Sequence, residues 1–128
     1  MRKLTTIIGA ATLMALSTKP VPATELIINL LGSEPIKRVT ARLQCDENAT
    51  GLGLPAGPFT VEYLNGAGNS LAVLPIHGQS LIFANVPSAS GARYAAGPYV
   101  WWDAAGRSIT LYSDSLAGKR QTSCRALS

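Results

Sequence analysis

Beyond residue 39 the apolar side chains recur at every second position, and this period constrains the fold more than any other feature. In the segment 39–45 they alternate with Thr40, Arg42 and Gln44, and the segment 59–63 repeats the pattern. A period of two is typical of a strand with one buried face, whereas a helix has a period of 3.6. No helical pattern of useful length follows Val39. The sequence therefore predicts an all-β fold.

Glycine or proline interrupts the chain between nearly all of the patterned segments, as expected of turns. Asn65-Gly66 is predicted to form a hairpin turn, because both residues accept a positive φ. Eight short strands with this spacing favour an antiparallel barrel or sandwich, since closure hides the edge strands. The predicted strands are 39–45, 59–63, 71–76, 81–86, 92–95, 99–103, 108–113 and 120–125.

The first 23 residues have the features of an export signal. Arg2 and Lys3 precede a short apolar run, and Val21-Pro22-Ala23 supplies small residues for cleavage after Ala23. The run is shorter than the roughly 20 residues of a membrane-spanning helix. We predict a signal peptide at 1–23, an N-terminal extension at 24–38 and the folded domain at 39–128. Within the extension, the segment 25–36 fits an extra strand, a short helix or a tethered arm.

The charge of the remaining chain argues against a nucleic-acid partner. The full sequence has 11 Lys and Arg against 7 Asp and Glu, but three of the cations, Arg2, Lys3 and Lys19, belong to the predicted signal. The other cations are scattered along the chain. Binding of nucleic acid needs a concentrated basic patch, so we predict no nucleic-acid partner.

Both cysteines, Cys45 and Cys124, lie in the exported part of the chain, where disulfides form and persist. A bond between them would join the first predicted strand to the last. The alternative is two free thiols. We predict the disulfide.

The sequence offers little material for catalysis. His77 is the only histidine and is predicted to be a turn residue at a strand end rather than a base. No nucleophile elbow, phosphate-binding loop or metal-ligand spacing is present. Asp103 and Asp114 could pair as glycosidase carboxylates, but scattered acids produce such pairs by chance. We predict no enzyme activity, no cofactor and no metal site.

Two loops are the candidates for specific recognition. The segment 88–94 is either a plain hairpin or a protruding loop that presents the Ser90 hydroxyl, which can donate to a carboxylate. In the segment 99–107 the adjacent Trp101 and Trp102 must face opposite sides of a strand. One enters the core. The other is either a contact anchor near Arg107 or a cover for the neighbouring strand.

Several short motifs occur in a distinctive order between Arg42 and Cys124. They are Leu43-Gln44-Cys45-Asp46-Glu47, then Ser90-Gly91-Ala92-Arg93-Tyr94, then Trp102, Gly106 and Leu111. In this order they resemble the C-type lysozyme inhibitors of Gram-negative bacteria, whose membrane-bound and periplasmic forms are called MliC and PliC. The most specific piece is the Ser-Gly-x-Arg/Lys-Tyr loop shortly before a Trp-containing strand.

The resemblance implies a small eight-stranded antiparallel β-barrel, here closed by one disulfide, that blocks the lysozyme of a host. It implies that Ser90 enters the lysozyme cleft and hydrogen-bonds the catalytic carboxylates. A retaining glycosidase needs one carboxyl as an acid and one as a carboxylate. A hydroxyl placed between them would therefore occupy the substrate position and disturb both pKa values.

The second loop departs from the family pattern Trp-x-Lys-Gly. Residues 102–106 are one residue longer, and Ala105 stands where the lysine is expected. Arg107, directly after the glycine, is the candidate for supplying the missing charge, although an arginine differs from a lysine in reach and geometry.

We therefore predict a periplasmic inhibitor of C-type lysozyme. Because no cysteine lies near the cleavage site, we predict that it is not a lipoprotein and has no membrane anchor. The expected lysozyme contacts are Ser88, Ser90, Gly91, Arg93, Tyr94, Trp102, Asp103 and Arg107. Two alternatives stay open: a small barrel that holds an apolar ligand inside, as lipocalins do, and a host-contact protein without lysozyme inhibition.

Overall fold

The computed structural model describes residues 2–14, 23–105, 108–116 and 120–128. In these ranges the chain forms eight strands and one short 3₁₀ helix, Ala49–Leu52. The strands are β1 (Lys37–Cys45), β2 (Phe59–Gly66), β3 (Asn69–Ile76), β4 (Gln79–Val86), β5 (Ala92–Ala96), β6 (Tyr99–Asp103), β7 (Ile109–Tyr112) and β8 (Gln121–Ala126). The predicted all-β class is confirmed, and each predicted strand overlaps an observed one with ends that differ by a few residues.

The strands close into one barrel in which every strand pairs antiparallel with its neighbours in chain order. Closure occurs where β1 pairs with β8, with Leu43 opposite Ala126 and Cys45 opposite Cys124. The predicted disulfide joins these same two cysteines. The first and last strands, which would otherwise be sheet edges, are therefore paired with each other and covalently linked.

The interior of the barrel is filled by inward-pointing side chains from alternate strand positions and by Leu52 of the 3₁₀ helix. The largest fully buried ones are Trp101, Phe83, Leu43, Leu52, Leu74, Leu111 and Val61. Strand β6 shows the predicted alternation directly, because Trp101 is fully buried whereas Trp102 is only half-buried. A barrel that carries an apolar ligand needs an open interior, and here the protein's own side chains occupy that space.

The turn between β2 and β3 lies two residues later than predicted. Asn65 and Gly66 are the last residues of β2, and the turn is made by Ala67 (φ 52°) and Gly68 (φ 75°). The prediction at Asn65-Gly66 is wrong because it rested on a local preference for positive φ. Pairing along the whole length of β2 and β3 sets the register instead.

His77 lies in the turn between β3 and β4, as predicted, with a φ of 50°. Its backbone N–H donates to the Gly53 carbonyl at 2.8 Å. Its ring lies so close to Gly53 that a Cβ there would stand 2.8 Å from Nε2. The histidine therefore joins this turn to the end of the 3₁₀ helix.

The segment 23–36 forms neither helix nor strand, so the arm is the alternative that the structure shows. Its apolar side chains are exposed: Leu26, Ile27, Ile28, Leu30 and Leu31. Near β1 the arm rests on the β2–β3 turn, where the Ala67 N–H donates to the Glu34 carboxylate at 3.1 Å. In the described ranges no helix has the length and apolar character needed to cross a membrane. Residues 1 and 15–22 of the predicted signal lie outside the described residues.

Candidate functional site

Two chain connections lie side by side at one end of the barrel. Residues 87–91, here called the Ser90 loop, join β4 to β5, and a second connection beginning at Ala104 joins β6 to β7. They are adjacent because β5 pairs with β6 from its first residue, with Ala92 opposite Asp103. The two loops selected from the sequence are thus brought together by one strand pair.

Two donors hold the backbone carbonyl of Ser90. The Ser88 hydroxyl donates to it at 2.5 Å, and the Trp102 Nε1–H donates to it at 3.1 Å. A carbonyl oxygen has two lone pairs, and both are used here. Among the described residues no group hydrogen-bonds the side-chain hydroxyl of Ser90. That hydroxyl therefore keeps its full capacity to donate to an external acceptor.

Gly91 brings the Ser90 loop into direct backbone contact with the end of β6 and the start of the second connection. Its φ is +65°, and a Cβ built on it would lie 1.9 Å from the carbonyl oxygen of Asp103. A positive φ already disfavours other residues. The close approach excludes any side chain as well, so the glycine is required on two independent grounds.

Trp102 is engaged on its ring face as well as at its N–H. The Arg93 guanidinium carbon lies 5.0 Å from the ring centroid, a cation–π distance. Arg93 and Trp102 are register partners on β5 and β6. The Arg93 Nε is buried and has no hydrogen-bond partner among the described residues. The tryptophan therefore covers the neighbouring strand, which is one of the two alternatives for its role.

Tyr94 supports the site from inside the barrel. It is 5% exposed, and its ring centroid lies 5.8 Å from that of Tyr63. The Tyr63 hydroxyl accepts a hydrogen bond of 2.9 Å from the Trp101 Nε1–H. Burial raises the pKa of Tyr63 above its usual value. The structure thus places Tyr94 in an aromatic layer beneath the loops.

The second connection is described only in part. Asp103 is half-buried, and Ala104 is buried and donates its N–H to the Ser108 carbonyl at 2.9 Å. Ala105 is exposed with a φ of 50°. Gly106 and Arg107 lie outside the described residues, so a contact by Arg107 stays a prediction. The described residues contain no group of three or more His, Cys, Asp or Glu side chains that could hold a metal ion.

A polar network that no sequence pattern predicted lies beside the disulfide. The Asp46 carboxylate accepts from the Thr122 hydroxyl at 2.5 Å, from the Ser123 N–H at 3.1 Å and from the Asn48 N–H at 3.0 Å. The bond from Thr122 is the main cause that lowers the pKa of Asp46. Asp46 and Thr122 are 76 residues apart, so no local motif could have signalled their contact.

The chain matches a protein-family model over more than half of its length. The model described as membrane-bound lysozyme-inhibitor of c-type lysozyme, MliC, matches residues 43–119. The chain belongs to the MliC family. The resemblance predicted from the motif order is thereby confirmed, and the match includes the Ser90 loop.

Two curated relatives carry the same description, membrane-bound lysozyme inhibitor of C-type lysozyme. The protein of Pseudomonas aeruginosa is 56% identical over 62 residues, which are 48% of this chain and 48% of that protein. The protein of Cupriavidus necator is 41% identical over 61 residues, which are 48% of this chain and 42% of that protein. The matches therefore span about half the length of these relatives.

A solved structure extends the comparison over most of the chain. It is a crystal structure of Pseudomonas aeruginosa MliC in complex with hen egg white lysozyme. It matches with 38% identity and a TM-score of 0.63, covering 83% of this chain and 99% of that chain. Nearly all of the crystallised MliC chain thus has its counterpart here.

The prediction of an unanchored periplasmic protein that is not a lipoprotein is wrong. Both MliC relatives are named membrane-bound, which points to a membrane-anchored form. The prediction rested on the lack of a cysteine near residue 23. That observation concerns a single mode of attachment at a single inferred cleavage position, so it could not decide the location.

Proposed function

We propose that this protein inhibits C-type lysozyme by placing the Ser90 loop in the active-site cleft of the enzyme. The main support for this proposal is that the Ser90 hydroxyl has no hydrogen-bond partner among the described residues, whereas the backbone of its loop is held by two hydrogen bonds. The proposal is supported by the MliC structure matched here, which was crystallised with hen egg white lysozyme.

The chemistry of the target explains why a hydroxyl is suitable. A retaining glycosidase uses one carboxyl group as an acid and a second as a carboxylate. The Ser90 hydroxyl donates to one carboxylate oxygen, and hydrogen bonds to a charged acceptor are among the stronger ones. The bond stabilises the ionised form of that carboxyl and opposes its use as an acid. The loop also excludes the sugar chain from the same space.

The other residues of the two loops divide into contacts and supports. We assign rim contacts to Arg93, whose guanidinium lies on the outer face beside the loop, to Asp103 and to Arg107. Tyr94 acts from the interior. No residue of this chain has a catalytic role in the proposal, and no cofactor is required.

We further propose that the inhibitor works outside the cytoplasm and attached to a membrane, where it meets the lysozyme of a host. Support comes from the features of an export signal in residues 1–23, from a disulfide that persists in oxidising compartments and from the names of the relatives.

The test is inhibition of hen egg white lysozyme as it clears a suspension of bacterial cell walls. The purified protein with its disulfide formed should abolish clearing at a modest molar excess. Ser90→Ala should weaken inhibition by about 10-fold or more, the usual effect of losing a hydrogen bond to a charged group. Ser80→Ala, at an exposed serine of β4, is the matched control and should inhibit like the parent.

Two results would contradict the proposal. If folded protein in large excess leaves clearing unchanged, the chain does not inhibit this enzyme. If Ser90→Ala inhibits as well as Ser80→Ala, inhibition does not depend on the Ser90 hydroxyl.

A further inference from the structure

We infer that Trp102 is a positioning residue: its indole N–H holds the Ser90 carbonyl and so sets the direction in which the Ser90 hydroxyl points. This inference rests on the proposed function and deepens it. Trp102 is then needed for inhibition because of what it does to Ser90, and not because it touches the lysozyme.

The two bonds to the Ser90 carbonyl determine the local backbone. The Trp102 Nε1–H reaches the oxygen from β6 at 3.1 Å, and the Ser88 hydroxyl reaches it from within the loop at 2.5 Å. A fixed carbonyl fixes the plane of the peptide that joins Ser90 to Gly91, and hence ψ of Ser90. Backbone angles restrict the rotamers available to a side chain. The hydroxyl is therefore directed through its own backbone.

Trp102 can act as a fixed support because it is itself fixed. Arg93 covers its ring at 5.0 Å. The preceding residue, Trp101, is fully buried and donates its own indole N–H to Tyr63 at 2.9 Å. The two adjacent indole groups therefore anchor the same strand in opposite directions, one to the core and the other to the loop.

The advantage of such a support is entropic. Each loop residue that becomes ordered only on binding lowers the affinity, because its conformational freedom is lost at that moment. A loop that already holds its bound conformation avoids this loss. Among the described residues Trp102 provides the bond that links the Ser90 carbonyl to a neighbouring strand.

The deciding experiment is a double-mutant cycle with Trp102→Phe and Ser90→Ala, in which dissociation constants for hen egg white lysozyme are measured. Phenylalanine keeps an aromatic ring for Arg93 but removes the N–H donor. We expect Trp102→Phe to weaken binding about 5- to 10-fold, the effect of one lost hydrogen bond. In the Ser90→Ala background the same change should weaken binding less than about 2-fold. Tyr112→Phe, on the outer face of β7, is the matched control and should have no effect.

A second readout does not depend on lysozyme. In the free protein, the NMR order parameters of the Ser90 and Gly91 amides should be near the rigid value of about 0.85 and fall towards 0.6 in Trp102→Phe. The thermal midpoint should stay close to that of the parent. This measurement tests the support of the loop even if the protein fails to inhibit.

The possible failures are distinguishable. If Trp102→Phe weakens lysozyme binding as much in the Ser90→Ala background as in the parent, Trp102 contacts the enzyme directly and the inference is overturned. Unchanged order parameters in Trp102→Phe overturn it as well. If the parent does not inhibit, or if Ser90→Ala is without effect, the proposed function fails, and the order parameters still decide whether Trp102 holds the loop.

Discussion

The junction of β1 with β8 and the Ser90 loop are both held by hydrogen bonds from hydroxyl and N–H groups. The linked residues, however, lie at very different distances along the chain in the two regions. At the junction, here called the seam (Cys45, Asp46, Thr122, Ser123 and Cys124), the disulfide spans 79 residues and the Asp46–Thr122 bond spans 76. In the Ser90 loop the two bonds to the carbonyl span 2 and 12 residues.

Because of this difference in sequence separation, the seam and the loop are expected to contribute to different properties of the protein. A link between distant residues restricts the unfolded chain strongly and so stabilises the fold. Bonds over short spans restrict it little, but they set the local geometry that a partner meets. Changes at the seam should therefore alter unfolding, and changes at the loop should alter binding.

The largest expected effect is at the seam. Cys45→Ala with Cys124→Ala removes the cross-link over 79 residues, which the chain-entropy account values at about 4–5 kcal/mol. We expect the free energy of unfolding in urea to fall by about this amount. Lysozyme binding by the fraction that stays folded should match the parent. A large loss of affinity in fully folded variant would show that the seam and the loop are coupled.

An intermediate effect is expected from Gly91→Ala, which tests the loop. The new Cβ would lie 1.9 Å from the Asp103 carbonyl oxygen, and the φ of +65° is itself unfavourable for alanine. We therefore expect the free energy of unfolding to fall by about 2–4 kcal/mol and the affinity for lysozyme to fall at least 10-fold. Gly97→Ala is the control, because it shares a positive φ, +53°, but has no atom within 4 Å of its Cβ. It should lower the free energy of unfolding by about 1 kcal/mol and leave the affinity for lysozyme unchanged. Equal affinity of the two variants would argue against the tight contact of the two connections.

The smallest expected effect concerns pH. The hydrogen bond from Thr122, with those from Ser123 and Asn48, lowers the pKa of Asp46 in the folded protein below its ordinary value of 3.8. The stabilisation is therefore fully present well above the ordinary pKa of an aspartate and is lost as the pH falls through the folded pKa. Asp46→Asn should lower stability at pH 7 by on the order of 1 kcal/mol, from weakened hydrogen bonds, and should flatten the acid side of the stability curve.

Glu47→Gln is the control for that experiment. It neutralises the adjacent, exposed carboxylate, so it should keep the acid dependence of the parent. If both variants respond to pH alike, the hydrogen bonds of Asp46 do not stabilise the seam.

Much of the fold could be predicted because the period of two is a local property. Strand β6 was placed from Tyr99 to Asp103 on this basis, and Trp101 and Trp102 face opposite sides as expected. The turn at Asn65-Gly66 was misplaced because a local preference for positive φ does not set the register of a long strand pair. The candidate loops could be selected from their residue types and from the motif order, but the bond from Trp102 to the Ser90 carbonyl could not be predicted, because it crosses from one strand to a neighbouring loop.

The sequence by itself determined the all-β class, the strand residues that face the interior and the family to which the chain belongs. Each of these depends on the spacing and order of nearby residues. Only the tertiary structure decided that Asp46 meets Thr122, that the Trp102 N–H reaches the Ser90 carbonyl, and that Gly91 touches Asp103. Those contacts join residues that are far apart along the chain or lie in different structural elements. Their partners become neighbours only when the strands pair into a closed barrel.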